Sequence, residues 1–234
     1  MAELTEKVMD FFTNAEVNMA TLKDVLSEFL AVELGGQKLY ERALKLVSDS
    51  EVQTKFREYH RQTLNHQKVL ISIIQKLGGN PKFRSAAAKI AGEKALALLR
   101  TMGSAAGLSK DERQLNAIEN IVLAETKDHA DWELIGKIAR QTTDPKLRDL
   151  LGSAAKTVEQ EEDEHLNWTR KKLGDLKMAS LAKGGSATPA AKGVMRNTLK
   201  PSKREGLKQS SRPKSKPKKT EKSPAPATSA DRRR

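Results

Sequence analysis

Cysteine is missing from all 234 residues of the chain. That excludes disulfide staples and thiolate metal sites together. Any metal must be held by carboxylate and imidazole, a donor set that suits iron, manganese or zinc. Long apolar runs are missing as well, and no window reaches the length of a membrane span. The opening stretch Met1–Asp10 carries Glu3, Glu6 and Asp10 and lacks the apolar segment of a secretory signal. The expectation is a soluble, cytoplasmic protein. Proline is scarce in the first 182 residues, which hold only Pro81 and Pro145 of the eight in the chain. Residues 183–234 contain no Phe, Trp or Tyr.

What is present divides the chain by charge. The net charge is +13, and residues 183–234 hold 16 of the 43 Lys and Arg but only three of the 30 Asp and Glu. The excess therefore lies entirely in that segment, and residues 1–182 carry 27 charges of each sign. A Lys-, Pro-, Ser- and Ala-rich segment of this kind cannot bury enough apolar surface to offset the entropy of ordering it. Residues 183–234 are expected to be a disordered basic tail.

The rest reads as all-α. Residues 1–19 form an N-terminal extension with a short amphipathic helix at Leu4–Phe12, and residues 20–180 form the helical body. Thr21 and Asp24 make a capping-box pair that predicts the first long helix, running to about Val47. Ser50 with Gln53 predicts the start of the second, and Gly78-Gly79 its end. Asn80-Pro81 predicts an alanine-rich extra helix over about 81–102. Ser109 with Glu112 opens the third bundle helix, and Asp144-Pro145 the fourth, which is expected to end near Gly174. Short links near 48–50 and 141–145 predict two antiparallel hairpins, joined by one long crossover that contains the extra helix. The halves nearly repeat: Glu33 is followed at seven by Tyr40, and Glu125 at seven by Trp132. Two hairpins related by a pseudo-twofold axis are the natural reading.

Each of the four long helices carries a polar group inside an apolar seam. The seams run Leu26, Phe29, Glu33, Gly36, Tyr40; then Phe56, Tyr59, Thr63, His66, Leu70; then Ile118, Val122, Glu125, His129, Trp132; then Leu151, Val158, Glu162, His165. Steps of three and four keep side chains on one helix face, so these groups point toward the core. One such residue alone is more often a buried polar group satisfied by a neighbour. Several on four helices suggest more, because an ionised carboxylate in a core is costly unless it is paired or binds a metal.

At these positions the chain resembles the ferritin-like superfamily of carboxylate-bridged dimetal proteins, in particular the bacterial stress-associated ferritin-like proteins and the rubrerythrin group. The resemblance covers roughly residues 20–175 and implies a ferritin-like antiparallel four-helix bundle. It places Glu33 and Glu125 as the single ligands of the first and third helices. Glu162 and His165 match the fourth-helix pair, with Glu162 bridging two metals, and His66 matches the second-helix histidine. Thr63 departs from the pattern, standing where a second bridging Glu is expected. His129, one turn beyond Glu125, is a candidate replacement nitrogen, whereas His60 lies off the seam and is expected to be exposed. The cofactor implied is iron, one or two ions, with manganese as the alternative. The implied chemistry is reaction of a reduced metal pair with peroxide or dioxygen, in a stress or redox-protective role. The lack of cysteine rules out an attached rubredoxin-type module. Without metal the three buried carboxylates repel one another, so at least one is expected to stay protonated or pair with a histidine.

The tail resembles those of linker-histone-like and nucleoid-associated proteins. Its cations include Lys200, Lys203, Arg204, Lys208, Arg212, Lys214, Lys216, Lys218, Lys219, Lys222, Arg232, Arg233 and Arg234. Spaced along an extended chain, they neutralise phosphates and release counterions without reading sequence. DNA is the expected partner, with nucleoid association, and a homodimer is the default assembly. The other readings of the tail are a solubilising segment, or one that touches RNA or anionic lipid. The competing reading of the whole chain is a metal-free architectural nucleic-acid-binding protein that uses the bundle as its scaffold.

Overall fold

The computed structural model describes residues 16–104 and 107–182. The expected N-terminal helix Leu4–Phe12 and the whole basic segment 183–234 lie outside the described residues. Five helices and no strand make up what is described: α1 Met19–Ala43, α2 Ser50–Lys76, α3 Ala86–Gly103, α4 Lys110–Gln141 and α5 Pro145–Ala182. The described residues are all-α, as the seams require.

Helix ends follow local hydrogen-bond chemistry, and several differ from expectation. α1 opens ahead of the Thr21–Asp24 pair because Asn18, in extended backbone, accepts the Thr21 N–H at 3.0 Å. It closes at Ala43, short of Val47, where a turn returns the Val47 N–H to the Ala43 carbonyl at 2.9 Å. α2 is capped by Asp49, not by Ser50, with the Glu51 and Val52 N–H groups donating to its carboxylate at 2.9 and 3.1 Å. α2 ends as expected at the glycine pair: Gly78 takes φ +67°, and the Gly79 N–H reaches the Ile74 carbonyl at 2.8 Å. The Ser109–Glu112 capping box and the Asp144-Pro145 start are both present.

Two departures are larger. Asn80-Pro81 does not start a helix; Asn80 closes a turn by accepting from the Lys82 and Phe83 N–H groups, each at 2.9 Å. The following residues are tied to α1, where the Ser27 hydroxyl donates to the Phe83 carbonyl at 2.9 Å and the Ser85 hydroxyl donates to the Asp24 carbonyl at 3.0 Å. α3 therefore begins only after Ser85. The other departure is Gly174, which does not stop α5. A helical glycine costs only about 1 kcal/mol relative to alanine, and Leu173 and Leu176 on either side of it pack against the apolar core and keep the helix going.

α1 packs on α2, α3 and α4, α4 packs along α5, and α2 meets α5. Glycine matters most at Gly35, where a Cβ would lie 2.6 Å from the Ala95 Cβ, so α1 and α3 approach closely there. The apolar core comes in two blocks. One gathers Leu26, Phe29, Leu30, Leu70, Ile73, Trp132, Ile135, Leu151 and Val158. The other gathers Leu39, Tyr40, Val52, Phe56, Tyr59, Ile118 and Ile121. On every long helix the residues between the two blocks are polar and buried: Glu33 on α1, Thr63 and His66 on α2, Glu125 and Asp128 on α4, Glu162 and His165 on α5. No helix among the described residues is long and apolar enough to cross a membrane.

Candidate metal centre

Helical spacing brings five of the six predicted ligands into that polar layer. Glu33, His66 and Glu162 form one group, and Glu125, Glu162 and His165 another, each with one ligand atom per residue and all atoms of a group within 4.8 Å of one another. Glu162 belongs to both. Metal–oxygen and metal–nitrogen bonds of about 2.0–2.2 Å place donors up to about 4.4 Å apart across an ion, so each group is near the size an ion requires. His66 Nδ1 lies 2.9 Å from Glu162 Oε1 and 3.5 Å from Glu33 Oε1. His165 Nδ1 lies 3.2 Å from Glu125 Oε2 and 3.4 Å from Glu162 Oε1.

The outer contacts fix these atoms. His66 Nε2 meets Glu161 Oε2 at 2.7 Å, and His165 Nε2 meets Gln62 Oε1 at 3.0 Å. Each imidazole thus has its far nitrogen anchored and Nδ1 turned inward, an arrangement that orients metal-ligating histidines. The carboxylates are clamped across the hairpins. Tyr40 of α1 donates to Glu125 of α4 at 2.8 Å, and Trp132 of α4 donates to Glu33 of α1 at 2.8 Å. This reciprocity accounts for the repeated seven-residue spacing: each half supplies a ligand and, two turns on, the donor that holds the other half's ligand.

Burial dominates the electrostatics. It pushes Glu33 up to about 7 against the pull of His66, and it pushes Glu125 up as well. Burial opposes charge on His66 too, but Glu162 and Glu33 outweigh it and raise the imidazole to about 11. His165 rises to about 10 for the same reason, through Glu125 and Glu162. Glu162, between both imidazoliums, is held down at about 2 despite its burial. The layer without metal is therefore held together by imidazolium–carboxylate pairing, as the repulsion among three carboxylates requires.

The pairing leaves atoms unsatisfied. Glu33 Oε2 and Glu162 Oε2 are buried without a partner, and His66 Nδ1 and Glu162 Oε1 meet as an ion pair that lacks the direction of a hydrogen bond. Those are the atoms an ion would take, while the anchored atoms of the same side chains are satisfied. The donor set therefore fits a metal, and buried Glu/His clusters of this kind can hold one.

His129 and His60 differ from expectation, and Thr63 does not. His129 is not in the layer; it is partly exposed, facing Asp163 at 3.3 Å and Glu133 at 3.5 Å. The helix face that carries Glu125 and Trp132 passes through Asp128, three residues on, and leaves His129 to the side. Thr63 offers no ligand, because its hydroxyl donates to the Tyr59 carbonyl at 3.0 Å on its own helix. His60 is off the layer, 3.6 Å from Glu41 and partly exposed. Sequence reasoning missed Gln62, Glu161, Asp128 and Asp131. The spacing Glu125-x-x-Asp128 was a usable signal for one of them. No family model, no curated protein and no solved structure matches the chain.

Proposed function

We propose that the chain is a ferritin-like antiparallel four-helix protein with one long crossover, that it holds one or two iron ions, and that it serves a stress or redox-protective role. Manganese is the other metal its oxygen- and nitrogen-only donor set accepts. The observation that carries the reading is the pair of overlapping triads sharing Glu162, with buried ligand atoms that have no other partner. Glu33, His66 and Glu162 would hold one ion, and Glu125, Glu162 and His165 the second. Iron bound there would supply electrons to dioxygen or peroxide. Tyr40 and Trp132 fix the terminal carboxylates, Glu161 and Gln62 orient the imidazoles, and the two apolar blocks keep water from the layer. A shared Glu162 can also adjust between the two positions as their charge changes.

The basic segment 183–234 places this activity on DNA in our reading, through Lys200, Lys203, Arg204 and the cations that follow. That assignment rests on charge and composition. The second reading, a metal-free architectural nucleic-acid binder, draws support from the self-paired layer, which needs no ion to offset its charges. Metal content separates the two. Anaerobic loading of the full chain with ferrous iron, followed by elemental analysis, should give one to two ions per chain, and none in a Glu33→Ala/His66→Ala/Glu162→Ala/His165→Ala variant. Equal uptake by both proteins would reject the centre.

A further inference from the structure

Asp128 is buried, only 4% exposed, and its Oδ1 has no hydrogen-bond partner. It lies on α4 between two residues that both reach the layer: Glu125, a member of one triad, and Trp132, which donates to Glu33 of the other. With a 3.6-residue period, the position three after Glu125 and four before Trp132 faces the same way as both. Beyond burial itself, the strongest charge effects on its carboxyl come from Glu33, Glu162, Glu125 and Asp131, all of them acidic. Among the described residues no cation pairs with it, and nothing in their packing explains a carboxyl there.

The charge of a loaded site explains it. Two divalent ions bring four positive charges, and Glu33, Glu125 and Glu162 bring three negative ones. Thr63, where a fourth carboxylate is expected, brings none. An unbalanced charge in a buried layer is strongly disfavoured. We propose that Asp128 is the fourth carboxylate of this centre, supplying from α4 the negative charge that Thr63 does not supply from α2. It stands outside both triads, so its part is to balance charge beside the ions and to favour occupation of both positions. The proposal rests on the metal-centre reading above.

The test uses the full-length chain and manganese(II) as a probe that does not consume dioxygen. Equilibrium dialysis should show two ions on the unaltered chain. Asp128→Asn, which keeps the shape and removes the charge, should bind the second ion at least about tenfold more weakly, the scale on which groups beside a metal act. Its metal-free melting temperature should be unchanged or higher, because burial and the neighbouring carboxylates push the Asp128 carboxyl well above the usual carboxylate range, and the amide replaces a group that already holds its proton. Asp128→Asn/Thr63→Glu should regain the second ion, since the charge returns from the other side of the layer. Asp128→Asn with two ions at unaltered affinity overturns the assignment and leaves the centre standing. So does a double variant that fails to recover, or an unaltered chain that saturates at one ion. An unaltered chain that binds no manganese and no iron instead rejects the centre itself.

Discussion

Glu162 is the residue on which the layer turns, and Glu162→Gln tests that directly. In the metal-free chain its carboxylate faces His66 at 2.9 Å and His165 at 3.4 Å, both imidazolium. The substitution keeps the volume and removes the charge, leaving two buried cations with less compensation. Glu162 falls from its ordinary 4.5 to about 2 in the folded chain, and at about 1.4 kcal/mol per pKa unit this is worth about 3 kcal/mol. Breaking a buried pair by removing one partner costs about 3–5 kcal/mol, which agrees. For a folded body of this size each kcal/mol moves the melting temperature by about 2–4 °C, so a drop of at least about 6 °C is expected. Because the folded pKa is depressed, the stabilisation is present above about 4.5 and is lost as pH falls through about 2. The gap between variant and unaltered chain should therefore be full at neutral pH and shrink in acid. Circular-dichroism melts of the metal-free protein across pH measure it, and the same melts with ferrous iron should show no ion-dependent rise in the variant, since Glu162 serves both triads. A melting temperature within about 1 °C of the unaltered chain at pH 7, or a gap that grows in acid, would refute the pairing scheme.

Other outcomes follow from the same geometry. Thr63→Glu should tighten binding of the second ion and raise the rate of ferrous oxidation, while destabilising the metal-free chain by several kcal/mol, on the order of a buried unpaired charge; equal destabilisation with and without iron would mark the layer as a relic. Glu33 holds its proton up to about pH 7, so metal-free stability should fall between about pH 4.5 and 7, and metal binding should release protons and weaken as pH drops through that window; calorimetry in buffers of different ionisation enthalpy would detect the release. His129→Ala should leave metal stoichiometry unchanged, because His129 faces Asp163 and Glu133 outside the layer. Truncation after Ala182 should abolish retardation of duplex DNA without loss of helix content, and the full chain's affinity should fall by several powers of ten per decade of salt; undiminished binding by the truncated chain would move the contact to the helical body.

Much of this was legible in the sequence because helices are local. The seams located Glu33, His66, Glu125, Glu162 and His165 by spacing alone, and strong caps such as Ser109–Glu112 and Asp144-Pro145 marked their own helices. The misses share a different cause. Asn80-Pro81 has the chemistry of a helix start, but Ser27 and Asp24, more than fifty residues earlier, hold the next segment to α1. Gly174 reads as a stop only when the packing of Leu173 and Leu176 beside it is unknown. His129 lies four residues after Glu125 and Asp128 three, and both spacings belong to one helix face, so the seam drawn through His129 passed over Asp128. Gln62 and Glu161 were invisible for a related reason: their role is to grip the far nitrogen of a histidine on another helix, and no spacing rule encodes that.

The crossed clamps at Tyr40–Glu125 and Trp132–Glu33 also bear on how the centre comes into being. α1 with α2 carries two of the five ligands and α4 with α5 the other three, while the clamps on Glu33 and Glu125 each come from the opposite pair. Either hairpin alone therefore exposes a loose carboxylate and an idle phenol or indole. Docking converts both at once, so assembly of the centre is a recognition event between two halves of one chain. Cut in the link between α3 and α4, the halves would have reason to find each other again.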